Sequence, residues 1–411
     1  MSRVKKGITT VERTIVVYTK SDKDCNKIIT FDGKKKREIP SSILKELKQK
    51  PYDFDEVFVK FSKKKRSDTL ESFYKDFIKD ADELKDITDG KVNLYKSGSY
   101  VLSSIQLFYD FLPKDFTDPE QIEDWEADIL NSCSVGALRY ANNNYEGKGY
   151  KYDIVSSYPS IMSRSNFPMK KGKLLTITQD DLDNMKNISF GCYRCKISNF
   201  DRRVFKENKE NWYCFSDVSF AIRKGYDVEM IEDDEPNVLS YENCLTSGKK
   251  LFGKFVEYLF NLKKQGYKSP KKILNCLWGA LCQRNTITMV IHNNNKNKLN
   301  NKEIPLFLCP DENNGITVEF DKLTQKFQTN YGRIKPFMLS SGRMRMAYYL
   351  EKSVDDLIYS HTDGFVLSKR LKTNDKCVLG DELGNLHYEG KCKNILIENM
   401  AAKLSDFKFQ I

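Results

Sequence analysis

Two aspartates in this chain stand where an apolar run gives way to a turn, and both are placed to hold a cation. Asp153 lies near the end of residues 150–155, which read as a strand; Ser156, Ser157, Tyr158 and Pro159 follow as a tight turn whose exit the proline fixes. A carboxylate there can take a metal ion, while the backbone amides of Ser156, Ser157 and Tyr158 face the oxygens of a metal-bound triphosphate. A buried strand ending in a surface turn accounts for the same residues. Asp363 sits in His361-Thr362-Asp363-Gly364, between two apolar runs, and Asp-Gly is a strong hairpin signal. Between these stretches, Lys271, Asn275 and Trp278 are spaced so that a helix puts them on one face. That face can set an ammonium on a triphosphate and an aromatic plane against a base pair. An amphipathic helix with a lysine on its wet side has the same pattern.

Taken together and in this order, the three stretches resemble motifs A, B and C of family B DNA polymerases. Motif A reads D-x-x-S-L-Y-P-S, and residues 153–160 match it with Ser157 in place of Leu. Motif B reads K-x-x-x-N-S-x-Y-G, and residues 271–279 match it with Cys276 for Ser and Trp278 for Tyr. Motif C reads D-T-D-S, and here it is His361-Thr362-Asp363-Gly364. The resemblance runs roughly from Asp118 to Glu389, and is most like the protein-primed group of viruses and linear plasmids.

The resemblance implies an α+β right-hand fold with an antiparallel palm sheet, helical fingers, a reduced N-terminal domain and a minimal or missing thumb. The corresponding division is 1–117 for the N-terminal domain, reduced or degenerate exonuclease-like, 118–246 and 286–411 for the palm, and 247–285 for the fingers. It implies template-directed addition of dNMP to a primer 3′ end. Asp153 and Asp363 would be the catalytic pair, sharing two Mg²⁺ ions, with the Ile154 carbonyl completing one shell. Ser156, Ser157, Tyr158, Lys271 and Asn275 would surround the nucleotide, Tyr158 lying under the sugar to exclude a 2′-OH. Trp278, Gly279, His361 and Thr362 would lie toward the DNA. The partners implied are a DNA template-primer and dNTPs, with room for a terminal priming protein, and no membrane. His361 is the main departure, standing where the family has its first motif C Asp; a catalytically inactive relic that binds nucleic acid is the rival reading. Adjacent Asp residues, as in reverse transcriptases, are absent from the motif.

Composition agrees with a polyanion partner. The net charge is +11, with pI near 8.9, and surface lysines neutralise phosphates and release counterions; a merely solvated lysine-rich surface has the same balance. The 11 cysteines follow no disulfide framework, the first residues are basic without an apolar core, and no run approaches a membrane span. These features point to reduced thiols inside a cell, with an infected host cell, mitochondrion and nucleus undistinguished. Cys192-x-x-Cys195 is a lone pair, and a zinc site needs a second.

Around the motifs, the periodicity predicts strands at 14–18, 56–61, 173–177, 190–197 and 227–231, and helices over 68–84, 118–140 and 249–264. Ser269 and Pro270 should open the motif B helix. Residues 34–37 read as a basic loop, 145–149 as a glycine-rich loop that resembles a template-touching linker, and 293–301 as a polar insert. Ser340 should cap a helix carrying Arg343 and Arg345, whose guanidinium groups meet DNA phosphates or solvent. Residues 383–389 resemble the family's segment near the primer end. No Asp-x-Glu strand precedes residue 110; Asp124-Trp125-Glu126 has the letters but lies in a helical stretch.

Overall fold

The computed structural model describes residues 12–19, 27–44, 56–60, 69–291, 305–310, 316–322, 324–373 and 377–398. The polar insert at 293–301 lies outside them. Packing divides the chain into two compact units: Met1–Lys114 with Lys254–Ala280, and Asp115–Gly253 with Leu281–Ile411.

In the first unit, a four-stranded sheet runs in the order Lys36–Pro40, Lys27–Phe31, Thr14–Tyr18, Glu56–Lys60. Its strands are antiparallel except for the last pair, which is parallel. Ile15, Val16 and Val17 are fully buried, as a β-branched run in a central strand requires. The expected basic loop is shorter than 34–37: Asp32 Oδ1 accepts the amides of Lys34 and Lys35 at 3.0 and 2.7 Å, and the chain is a strand again from Lys36. Helix Leu70–Ile87 follows, with Thr69 as a capping-box residue. Leu70, Tyr74, Phe77, Ala81 and Leu84 form its buried stripe. The motif B helix packs within this unit, Lys272 pairing with Asp80 and the Ser269 amide donating to Glu83 Oε2 at 3.0 Å.

The second unit is built on a five-stranded sheet in the order Leu386–Ile397, Tyr145–Ile154, Gly364–Leu367, Leu357–His361, Arg139–Ala141, antiparallel throughout. Tyr152, Ile154, Phe365, Leu367 and Leu386 belong to one buried cluster with Met344, Met346, Ala347 and Leu350 of helix Ile334–Leu350. Tyr152 stacks on Phe365 with centroids 5.4 Å apart and touches Tyr388 at 5.2 Å. Because side chains alternate along a strand, the face opposite Tyr152 and Ile154 is the one that carries Asp153.

Three expectations fail here for physical reasons. The helix over 118–140 is confined to Asp124–Ser132. Before it, the Glu120 amide donates to Met169 O at 2.9 Å, and the Glu120 and Gln121 carbonyls accept from Arg333, so that backbone is committed elsewhere. After it, residues 139–141 join the sheet. The segment 145–149 is strand, not loop: a Cβ at Gly149 would collide with Ile395 and come within 2.7 Å of Val366 Cγ1, so the glycine serves close strand packing. Ser340 is mid-helix and buried, because a turn capped by Thr329 (Oγ1 accepting from Tyr331 N at 3.1 Å) starts the helix earlier, with Pro336 in its first turn. Among the described residues no helix is long and apolar enough to cross a membrane.

Candidate active site

The motif A strand ends at Ile154, and helix Ser157–Arg164 begins three residues later. Ser156 makes the connection in a left-handed conformation, φ 47° and ψ 56°, a strained choice for a residue with a Cβ and one that clusters at functional turns. The reversal brings Ser157 and Tyr158 into the first helical turn, where amides have no acceptor within their own helix. Ser157 is buried, and its carbonyl accepts from Ser160 Oγ at 2.6 Å. Asp153, Ser156 and Tyr158 are half-buried.

The motif C hairpin forms as its turn residues dictate. His361 pairs with Gly364, and Thr362 takes φ 64° between them. The register then sets Gly364 opposite Asp153, and the Ile154 amide donates to the Asp363 carbonyl at 2.9 Å. The two aspartates thus stand on adjoining strand ends whose main chains are one hydrogen bond apart. Thr362 is tied from the other side, its amide donating to Leu138 O at 3.1 Å. His361 is exposed, its Nδ1 3.1 Å from Thr362 Oγ1. Burial raises the Tyr158 phenol above its ordinary range, and the charge of Asp363 raises it further, so its ring lies in the field of the motif C carboxylate.

Two carboxylates and a nearby carbonyl are hard oxygen donors of the kind Mg²⁺ selects. No group of three or more His, Cys, Asp or Glu that could hold a metal is found among the described residues. The donor set fits an ion that keeps much of its shell for water and substrate phosphate, as Mg²⁺ does.

On the motif B helix, Pro270–Leu281, the expected face exists within its own unit. Lys271, Asn275 and Gly279 are exposed and Trp278 is half-buried, while Ile273, Leu274 and Leu277 are fully buried. Lys271 and Lys272 diverge around the helix: Lys272 pairs with Asp80, and Lys271 makes no ion pair among the described residues.

Several residues of the same unit make contacts that no local sequence pattern announces. Arg343 does not face solvent: it is buried, forks onto Asp217 at 2.9 and 2.7 Å, and donates to the Val135 carbonyl. Ser340 Oγ completes the same carboxylate at 2.7 Å. Arg345 reaches Ser160 Oγ. Arg333 is fully buried against Glu126, at 2.8 and 2.7 Å, and Tyr241 donates to the same carboxylate at 2.7 Å. His387 stands opposite Asp153 on the far strand, with Nδ1 2.5 Å from Asp381 Oδ1. Of the segment 383–389, residues 386–389 therefore flank motif A as sheet, and 383–385 form the turn that leads into them.

The model of a family described as DNA polymerase type B, organellar and viral, matches residues 16–307. The chain is similar to a probable DNA polymerase of Neurospora intermedia, 23% identical over 286 residues, which take in 58% of this chain and 27% of that protein. The match thus spans little more than a quarter of the relative's length. Among solved structures it is similar to Phi29 DNA polymerase complexed with single-stranded DNA, at 15% identity over 93% of this chain and 74% of that one, with a TM-score of 0.56. It is also similar to the same polymerase in its post-translocation complex with primer-template DNA, at 16% identity, equal coverage and a TM-score of 0.57. Identities this low establish likeness of fold.

Proposed function

The chain belongs to the organellar and viral type B DNA polymerases, and from that membership we propose that it is a DNA-directed DNA polymerase acting on a primer-template with dNTPs. The observation that carries the proposal is the Ile154 to Asp363 hydrogen bond at 2.9 Å, which joins the ends of the motif A and motif C strands. In the proposed reaction the primer 3′ oxygen bonds to the α-phosphorus of the dNTP, the bond to the bridging oxygen breaks, and pyrophosphate leaves. Two Mg²⁺ ions, when bound, lower the pKa of the 3′ hydroxyl and neutralise charge on the phosphates. Asp153 and Asp363 hold that positive charge in place, with the Ile154 carbonyl as a further oxygen donor. The amides of Ser156, Ser157 and Tyr158 are the donors for triphosphate oxygens. The Tyr158 ring excludes a 2′-OH by bulk. Lys271 and Asn275 contact the incoming nucleotide, Lys271 stabilising negative charge on the departing pyrophosphate. Trp278, Gly279, Thr362 and His361 are assigned to the DNA side. A terminal priming protein is a further partner that this reading accommodates.

Asp153→Asn tests the assignment. An amide keeps the shape and removes the charge that a divalent ion needs, so Mg²⁺-dependent primer extension should fall by at least about 100-fold, with DNA binding retained. Extension at the unaltered rate would remove motif A from the chemistry.

A further inference from the structure

Behind the Tyr158 ring, helix Ile334–Leu350 carries a glycine. Gly342 is buried, and a Cβ at this position would lie 3.5 Å from Tyr158 Cε1, 3.7 Å from its hydroxyl oxygen and 3.8 Å from Ile161 Cδ1. The ring therefore rests at van der Waals distance from a single added carbon. The helix cannot retreat at this point, because both flanks of Gly342 are anchored to one buried carboxylate. Ser340 Oγ donates to Asp217 at 2.7 Å, and the Arg343 guanidinium holds the same group through Nε at 3.2 Å and Nη2 at 2.9 and 2.7 Å. Tyr158 is half-buried on the first turn of an eight-residue helix.

We propose that Gly342 is a specificity-determining residue, setting how deep the Tyr158 ring sits and so how much room is left beneath the sugar of an incoming nucleotide. The inference rests on the reading of Tyr158 as the group that excludes a 2′-OH. A methyl group at 342 meets the ring at ordinary contact distance. A branched side chain puts further carbons inside the ring's own volume. With the helix fixed, the ring yields away from it and into the nucleotide site.

The test uses the full chain and four variants: G342A, G342V, Y158A and the double variant G342V/Y158A. Primer extension is measured with single dNTPs and rNTPs. G342A should match the unaltered chain within about twofold, since it adds only contact. G342V should raise the KM for dNTP by about ten- to a hundredfold and reject rNTP more strongly still, with kcat nearly unchanged. In the Y158A background the same valine should leave the dNTP KM where Y158A alone sets it, because the ring it displaces is gone. An equal effect of valine with and without Tyr158 overturns the proposal, as does a G342V chain that fails to fold in both backgrounds, since the clash would then lie elsewhere. If the unaltered chain does not extend primers, the proposed activity falls and this specificity with it. Extension without coupling between 342 and 158 overturns the present inference alone.

Discussion

His361 puts an imidazole where the family places a carboxylate, two residues from Asp363. The site thereby has one fewer negative charge to offer a divalent ion. His361→Asp should lower the Mg²⁺ concentration for half-maximal primer extension by on the order of tenfold; superimposed Mg²⁺ titrations of the two forms would make position 361 a bystander. Tyr158→Ala should relax the preference for dNTP over rNTP by roughly ten- to a hundredfold, the range one lost steric contact commands, and an unaltered preference would take Tyr158 out of the sugar pocket. The positions of Asp153 and Asp363 at a strand end and in a hairpin turn could be read from the sequence because their signals are local: a strand end, a turn, an Asp-Gly hairpin. The pairing of Arg343 with Asp217 and the place of His387 opposite Asp153 could not. The partner of Arg343 lies 126 residues away, and no pattern of neighbouring residues announces such a bond.

At the scale of the element, the motif B helix separates two adjacent lysines by about 100° of rotation. Lys271→Ala should raise the KM for dNTP by about tenfold or more and leave the unfolding midpoint where it is. Lys272→Ala should do the reverse, costing about 1 kcal/mol or less of stability, because its pair with Asp80 is partly solvated. If both changes acted on KM alike, the helix would present another face to the nucleotide. This helix was legible because its apolar positions, Ile273, Leu274 and Leu277, keep a clear period. The stretch before motif A was not. Its polar residues suit a helix, yet Met169 and Arg333 claim the backbone of residues 120 and 121, and tertiary bonds override propensity.

For the whole molecule, the Arg333 and Glu126 pair is a point of leverage, both side chains being wholly removed from solvent. Glu126→Gln leaves a buried guanidinium without its counter-charge and should cost about 3–5 kcal/mol, read as a lower denaturant midpoint; a loss below about 1 kcal/mol would show that water reaches the pair. No Asp-x-Glu precedes residue 110, and among the described side chains of the N-terminal sheet Glu38 is exposed and tied to Lys27 and Lys36, while the strand Thr14–Tyr18 carries no acid. Excision by two metals needs its own carboxylate cluster, so the chain should leave a mismatched 3′ end intact; metal-dependent degradation of such an end would refute this. The sheet order has a last consequence, one of time. The motif A strand lies between Gly364–Leu367 and Leu386–Ile397, segments that leave the ribosome more than two hundred residues after it. At about 5–20 residues per second, both edges of that strand wait roughly ten seconds or more for partners. A nascent chain halted before residue 357 should therefore hold Asp153 on an unpaired, sticky strand and depend on chaperones, and it acquires its paired aspartates only once residues 357–367 have emerged.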